Sequence, residues 1–327
     1  KQLSEVNLDL KIFYIEDIDC FDLSKPCNEN ILNTFSPIES INPGDTAYIF
    51  YTTGTTSTPK GVMLSHNNVL ASAQNIAEFM EHKSDIVESI PMPLSHSFGF
   101  GRLRSVFYVG GTAIIEPGLL FPNKVLMNIK KYSANAISMV PAGFEVFLET
   151  FYEGFLNIAN QIQYIEIGSA PMRTERKKQL IEICPNANIC MHYGSTEASR
   201  TTFINFRKEL THIETIGKAS PNTIVEIHDQ NGNDISKTGK VGELVAFAKT
   251  IAQGYWKNKN LSKQVLKNGS FYTGDLVKAD KDGYLHLVGR IKEMINVGGY
   301  KVAPTEIEEV MIKFPEIKEV AVVGKIN

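Results

Sequence analysis

The sequence predicts an α/β protein in which layered sheets and helices are followed by a β-rich subdomain and then by the start of a small α+β domain. Three observations carry this. Between Ala47 and Tyr193, short apolar runs alternate with longer segments of helical periodicity, the pattern of a largely parallel sheet with crossover helices. From about Ile216 the texture turns to alternating, turn-punctuated stretches, among them TIVEIHDQNGND and GELVAFA. After Lys292 a third style begins, with a helix and a strand or two, too little for a complete domain of its own. The predicted organisation is 1–215 for the α/β part, 216–291 for the β-rich part and 292–327 for the last.

In chain order, strands are expected at Ala47–Tyr51, Ile86–Ile90, Thr112–Glu116, Ala136–Val140, Tyr164–Gly168 and Asn188–His192, all short apolar runs. Helices are expected at Asn67–Glu81, Phe121–Tyr132, Ala142–Tyr152 and Met172–Cys184, where apolar residues recur at helical spacing; Pro141 and Pro171 suit helix starts. The Asp-Gly pair at Asp282 and Gly283 marks a hairpin turn shortly before Gly289. Beyond it, Thr305–Lys313 reads as a helix and Glu319–Val323 as a strand.

Composition narrows the class. With 327 residues, 43% of them apolar and 21% charged, the chain has material for a large core or two to three domains. A net charge of -3 leaves no footprint for nucleic acid or an anionic membrane. No apolar run is long enough to span a bilayer, and the opening KQLSEVNLDL lacks a signal peptide's apolar stretch, so the expected compartment is the cytoplasm. Cys20, Cys27, Cys184 and Cys190 show no C-x-x-C spacing and read as reduced, partly buried thiols. The seven histidines are scattered, with no pair at metal-ligand spacing.

Chemistry concentrates in the turns. YTTGTTSTPKG, Tyr51–Gly61, follows the first strand with consecutive hydroxyls, two glycines and a lysine. Such a loop can hold phosphates through close backbone approach, threonine donors and the point charge of Lys60. It is not a Walker A loop, because Pro59 stands in place of the second glycine and Gly61 follows the lysine. MHYGSTEAS, Met191–Ser199, ends a predicted strand, and ligands of doubly wound sheets lie beyond the carboxyl ends of strands. The same residues also suit a plain strand-ending turn with a surface glutamate. YTGD, Tyr272–Asp275, offers a carboxylate apt for two ribose hydroxyls, with Arg290 to close over it; taken singly, these read more simply as a turn aspartate and a hairpin arginine.

In this order and spacing the blocks resemble the adenylate-forming superfamily, which comprises acyl-CoA synthetases, aryl-acid ligases, luciferases and peptide-synthetase adenylation domains. PLSHSFGFG (Pro93–Gly101), IGSAPM (Ile167–Met172), GELVAFAKTIAQGYW (Gly242–Trp256) and GRIKEMINVGGYKVAPTEIEEV (Gly289–Val310) extend the likeness over Ala47–Pro304. The resemblance implies ATP-dependent activation of a carboxylic acid as an acyl adenylate with release of pyrophosphate, then transfer to a thiol, most often that of CoA. It implies that Thr52, Thr53, Gly54, Thr55, Thr56 and Lys60 hold phosphates and that Gly168, Ser169 and Ala170 lie where adenine stacks. Tyr193 would flank the adenine with Gly194 and Ser195 beside it, Thr196 would contact phosphate and Glu197 would help hold Mg2+. Asp275 and Arg290 would bind the ribose, His96 would sit near the substrate carboxylate with Phe98 and Gly99 shaping the acyl pocket, and Lys292 would be the hinge to a small domain.

Amino-acid-activating members place an aspartate near the His96 block; no acidic residue occurs between Pro91 and Val109, which weighs against an α-amino acid. Ser57 stands where the family has glycine. The family's lysine in the second half of the small domain lies beyond Asn327, so the chain is expected to be a fragment that binds ATP but adenylates poorly alone. Two rival readings are an acyl-AMP ligase that loads the pantetheine thiol of a carrier protein, and a noncatalytic nucleotide-binding module.

Overall fold

The computed structural model describes residues 41–52, 59–297, 300–312, 314, 316, 317 and 320–325. The architecture below is that of the unit Pro43–Asn327. Thr53, Gly54, Thr55, Thr56 and Ser57 of the predicted phosphate loop lie outside the described residues, as do Gly298, Gly299, Cys20 and Cys27.

Strands β1 (Thr46–Thr52) and β2 (Lys60–Ser65) pair antiparallel, with Thr52 opposite Lys60. Ser65 then starts α1 (His66–Met80) with a reciprocal capping box to Asn68, which satisfies two helix-end donors at once. Five strands follow in parallel: β3 (Val87–Ile90), β4 (Thr112–Ile115), β5 (Ala136–Met139), β6 (Tyr164–Ile167) and β7 (Asn188–Tyr193). Antiparallel β8 (Thr202–Asn205) and β9 (Lys218–Ala219) complete a seven-stranded sheet in the order β4-β3-β5-β6-β7-β8-β9. β5 and β6 are buried along their whole length, as strands covered on both faces must be. Between them in sequence run the helices Ser97–Tyr108, Pro122–Lys131, Pro141–Glu145, Tyr152–Ala159 and Thr174–Ile183, here α2 to α6. Phe144, Phe147, Phe155, Ile137, Ile165 and Ile189 meet in the largest core cluster.

The second part is antiparallel. β10 (Thr223–His228), β11 (Gly242–Ala248), β13 (Leu266–Lys267) and β14 (Ser270–Ala279) lie in the order β10-β11-β14-β13, and β15 (Leu285–Arg290) also pairs with β14. β12 (Gly254–Tyr255) leaves that sheet and adds to the free edge of β2. The β14–β15 turn is the one predicted at Asp282 and Gly283: Gly283 has φ +80°, and Asp280 Oδ1 accepts from the backbone N–H groups of Asp282 and Tyr284. β16 (Ile295–Val297), β17 (Tyr300–Val302) and α8 (Pro304–Met311) follow; α7 is Lys259–Val265.

Two expectations are corrected and one helix was not foreseen. The helix expected over Ala142–Tyr152 is α4, a π-helical turn Val146–Thr150 and then α5, which runs on to Ala159; the extra residue in the π turn brings Phe147 and Phe155 into a stack at 5.6 Å. α2 arises from PLSHSFGFG, whose Gly99 and Gly101 hide its helical character, since each glycine costs a helix about 1 kcal/mol relative to alanine. Of the expected strand Glu319–Val323, residues 320–323 carry no ladder.

Candidate active site

The carboxyl ends of β6 and β7 emerge side by side, Ile167 opposite Met191, and so place Gly168–Ala170 next to Tyr193–Ser195. Gly168 is there by close approach: a Cβ on it would lie 2.1 Å from the His192 ring. Ser169 has φ +72°, and it and Ala170 are exposed. Gly194 has no more room, its Cβ falling 2.6 Å from the Arg200 nitrogen. The turn beyond closes on itself, with Ser195 N–H donating to the Ala198 carbonyl at 3.1 Å and Ala198 N–H to Ser195 Oγ at 3.2 Å.

One end of this turn reaches the β-rich sheet. Tyr193 donates its hydroxyl to Asp275 Oδ2, and Arg290 Nε lies 3.0 Å from Asp275 Oδ1. Asp275 and Arg290 are register partners across β14 and β15. Burial raises the Asp275 carboxyl above its usual range, against the pull of Tyr193 and Arg290. Burial also raises Tyr193, and the charge of Asp275 adds to it, so the phenol stays a donor.

The other end reaches the lysine strand. Glu197 Oε1 accepts from the Tyr255 hydroxyl at 2.6 Å, and the Glu197 carbonyl from Ala252 N–H at 2.8 Å. Tyr255 sits on β12 opposite Val62 of β2, and Trp256 N–H donates to the Gly61 carbonyl at 2.7 Å. Gly61 is needed for packing: its Cβ would lie 2.9 Å from the Ile49 side chain and 3.2 Å from Trp256. Lys60, Tyr51, Pro59, Gly61, Tyr255, Trp256 and Asn258 line a cleft of about 170 Å³.

His96 caps α2. Its Nδ1 accepts from Phe98 N–H at 3.2 Å, which puts the proton on Nε2 of a neutral ring. Burial, and then the nearby Arg200 charge, lower its pKa and favour that form. The next residue, Ser97, has its hydroxyl 3.2 Å from Thr196 Oγ1. Lys292 lies in an exposed turn directly after Arg290.

Beneath these groups is a layer of charge that the motifs did not announce. Arg102 donates to both oxygens of Glu88, at 2.8 and 2.7 Å, and to Glu166 Oε2 at 2.6 Å, all three side chains fully buried. Glu166 Oε1 also accepts from Arg200 Nε at 3.1 Å and lies 2.6 Å from His192 Nδ1. Burial pushes the Glu166 carboxyl up, but Arg200, Arg102 and His192 outweigh it and hold it well below the usual range. Arg200 lies over the Phe98 ring at 5.1 Å, and His192 meets that ring edge-on at 4.8 Å. The layer had a signal in the sequence: Glu88 and Glu166 are single acids inside the strands VESI and YIEI. Cys184 and Cys190, expected as partly buried thiols, are free and fully buried, and burial raises the pKa of each.

Residues 6–256 match the AMP-binding enzyme family. The chain belongs to that family. Among AMP-binding relatives, 4-coumarate–CoA ligase-like 2 of Arabidopsis thaliana is 31% identical over 297 residues, which are 87% of this chain and 51% of that protein. The long-chain-fatty-acid–CoA ligase of Bacillus subtilis (strain 168) is 28% identical over 298 residues, 88% of this chain and 51% of that protein. The structure of ATP-bound MatB from Rhodopseudomonas palustris superposes with a TM-score of 0.78 at 27% identity, covering 86% of this chain and 56% of that one. The chain spans about half the length of the curated relatives it matches. Glu197 and Thr196 offer a carboxylate and a hydroxyl, hard oxygen donors that fit the Mg2+ expected of an AMP-binding enzyme. Among the described residues no helix is long and apolar enough to cross a membrane.

Proposed function

We propose that this chain carries the nucleotide site of an AMP-forming acid–thiol ligase, which activates a carboxylic acid with ATP and passes the acyl group to a thiol, most readily that of CoA. The observation that carries this reading is the turn Tyr193–Glu197, which joins Asp275 and Arg290 at one end to the Lys60 strand, through Tyr255, at the other. A ribose site and a phosphate charge are thereby held on either side of one turn, as a nucleotide spanning them requires. On this reading 1–215 and 216–291 form the large adenylation domain and 292–327 opens a small one, with Lys292 at the hinge.

In the adenylation step a carboxylate oxygen attacks the α-phosphorus, the bond to the bridging oxygen breaks, and pyrophosphate leaves with the electron pair. The chain's part is positioning and charge neutralisation. Asp275 accepts from the ribose hydroxyls, Tyr193 and Gly168–Ala170 flank the adenine, and Lys60, with the threonines Thr52, Thr53, Thr55 and Thr56 and Gly54, holds the outer phosphates. His96, neutral and protonated on Nε2, directs an N–H toward the acid's carboxylate without drawing it into an ion pair. Glu197 and Thr196 would hold Mg2+, which when bound neutralises phosphate charge. In the second step a thiolate attacks the acyl carbonyl and AMP departs.

The test is carboxylate-dependent ATP–pyrophosphate exchange by the full-length gene product, with a panel of fatty, aryl and amino acids. Exchange that depends on one acid class and is lost in Lys60→Ala and Glu197→Ala is the expected result. ATP binding with no exchange for any acid would overturn the reading in favour of a noncatalytic module.

A further inference from the structure

Asp275 owes its aim to an irregularity in β14. Across the β11–β14 pair Val245 stands opposite Tyr272 and Glu243 opposite Leu276, so one residue, Leu244, faces three: Thr273, Gly274 and Asp275. β14 therefore carries two extra residues, a bulge that lifts this stretch off the ladder and re-aims its side chains. Because the excess is even, the strand keeps the same faces on either side, and Val277 still meets Ile227, Leu244 and Leu285 in the core. The displacement falls on residues 273–275, where it brings the Asp275 carboxylate to the Tyr193 hydroxyl and the Arg290 guanidinium. Gly274 is glycine for its backbone, with φ +76° and open space where a Cβ would stand.

A bulge frees backbone groups from the ladder, and each must find another partner. Thr273 Oγ1 accepts from Asp275 N–H at 3.1 Å and donates to the Leu244 carbonyl at 2.8 Å, and the Gly274 carbonyl accepts from Ile291 N–H at 2.9 Å. Gly274 N–H donates across the sheet to Glu243 Oε1 at 2.9 Å. A carboxylate holds such an N–H more strongly than a neutral acceptor does. Glu243 is half-buried, and among the described residues its side chain makes this hydrogen bond and no ion pair. Its charge is directed at the centre of the bulge, one residue from Asp275.

We infer that Glu243 is a positioning residue for the nucleotide: acting through Asp275, its carboxylate fixes the bulge at 273–275 in the shape that presents Asp275 to the ribose hydroxyls. The inference rests on the nucleotide-site reading above and deepens it. A glutamate that only supported the sheet would serve every nucleotide alike, whereas a clamp beside Asp275 serves the ribose.

The experiment compares ATP with 2′,3′-dideoxy-ATP, which lacks both ribose hydroxyls, in displacement of a base-labelled fluorescent nucleotide from the full-length gene product. The wild-type protein is expected to bind ATP about tenfold or more tightly than the dideoxy form, the worth of a hydrogen bond to a charged group, and Asp275→Ala to abolish that preference. Glu243→Met, similar in length but without the acceptor, is expected to weaken ATP about tenfold and leave dideoxy-ATP within about twofold of wild type. Glu243→Gln, whose amide oxygen still accepts from Gly274 N–H, should keep most of the preference. In an Asp275→Ala background Glu243→Met should add nothing. A loss shared equally by both nucleotides, or no loss of either, overturns the inference, while the Asp275→Ala result leaves the ribose site standing. A wild-type protein that binds the two nucleotides equally overturns the ribose site and the inference with it. Thr273→Val, which strips the acceptor from Asp275 N–H, asks the same question should Glu243→Met not fold. The same ATP-selective loss is expected, and an equal loss of both nucleotides, or none, counts against the bulge as the device that aims Asp275.

Discussion

Acid should destabilise this protein through His82 well above the pH at which ordinary carboxylates titrate. The ring is buried, its Nε2 is 3.2 Å from Arg102 Nη2, and its Nδ1 is 3.2 Å from Ser105 Oγ. Arginine can only donate, so Nε2 accepts and the proton sits on Nδ1, facing the serine. Protonation would set a second cation against Arg102. Burial, then Arg102, push the His82 pKa down to about 3 from 6.5, with Glu166 opposing. A folded pKa below the unfolded one means that the unfolded chain binds more protons between the two values. The stability is therefore fully present above pH 6.5 and is lost as pH falls toward 3. Between pH 7 and 5 the loss from this one group is roughly 2 kcal/mol, and at pH 3 it reaches about 4 kcal/mol. Urea unfolding followed by circular dichroism at pH 7, 6 and 5 measures it against His82→Gln, whose amide oxygen can still accept from Arg102. His96 and His192 are lowered as well and leave the variant a slope of the same sign, so the difference between the two proteins isolates His82. The reasoning fails if His82→Gln loses as much stability between pH 7 and 5 as the wild type does.

Three further substitutions separate the layers of the site. Glu166→Gln keeps the shape but removes the charge that serves Arg102, Arg200 and His192, and should cost about 3–5 kcal/mol in urea unfolding; an unmoved midpoint would contradict a closed ionic layer. Asp275→Asn should weaken ATP about tenfold or more in a fluorescent-nucleotide titration, the worth of a hydrogen bond to a charged group, with little change in unfolding. Tyr255→Phe leaves its ring packed with Phe50, Val62 and Leu64 but releases Glu197 Oε1; it should weaken ATP-dependent Mn2+ binding, read by electron paramagnetic resonance, about tenfold. In a Glu197→Gln background the same change should add nothing, and an additive loss would show that Tyr255 acts elsewhere.

Much of the fold was legible because its strands are short apolar runs, and β3 to β7 lie within a residue or two of their predicted ends. The Asp282-Gly283 turn was legible for a local reason, a backbone conformation that glycine takes without strain. What stayed hidden depends on long-range geometry. Tyr193 and Asp275 each stood out, but their hydrogen bond joins strands of different sheets, 82 residues apart. Tyr255 carried no signal of its own, because its hydroxyl finds Glu197 only when β12 leaves one sheet to edge another. α2 was obscured by Gly99 and Gly101, which are there for the carbonyl of Pro93 and the guanidinium of Arg200 and weaken the helix that carries them.

The charges of the site divide by exposure, and that division follows from what each set must do. Arg102 and Arg200 are balanced by Glu88 and Glu166, and His82 and His192 are held toward neutrality by burial, so the layer is close to electrically quiet despite its ions. It cannot supply the attraction that a triphosphate needs. On the proposed reading it comes instead from half-buried Lys60 and from Arg290, whose side chain is 58% exposed while paired with Asp275. Exposed cations are screened by salt over about 8 Å at physiological strength, whereas the layer lies out of reach of ions. The quiet layer can therefore be rigid and govern the acid stability of the fold, while on the proposed reading nucleotide affinity is left to charges that water and salt can still reach.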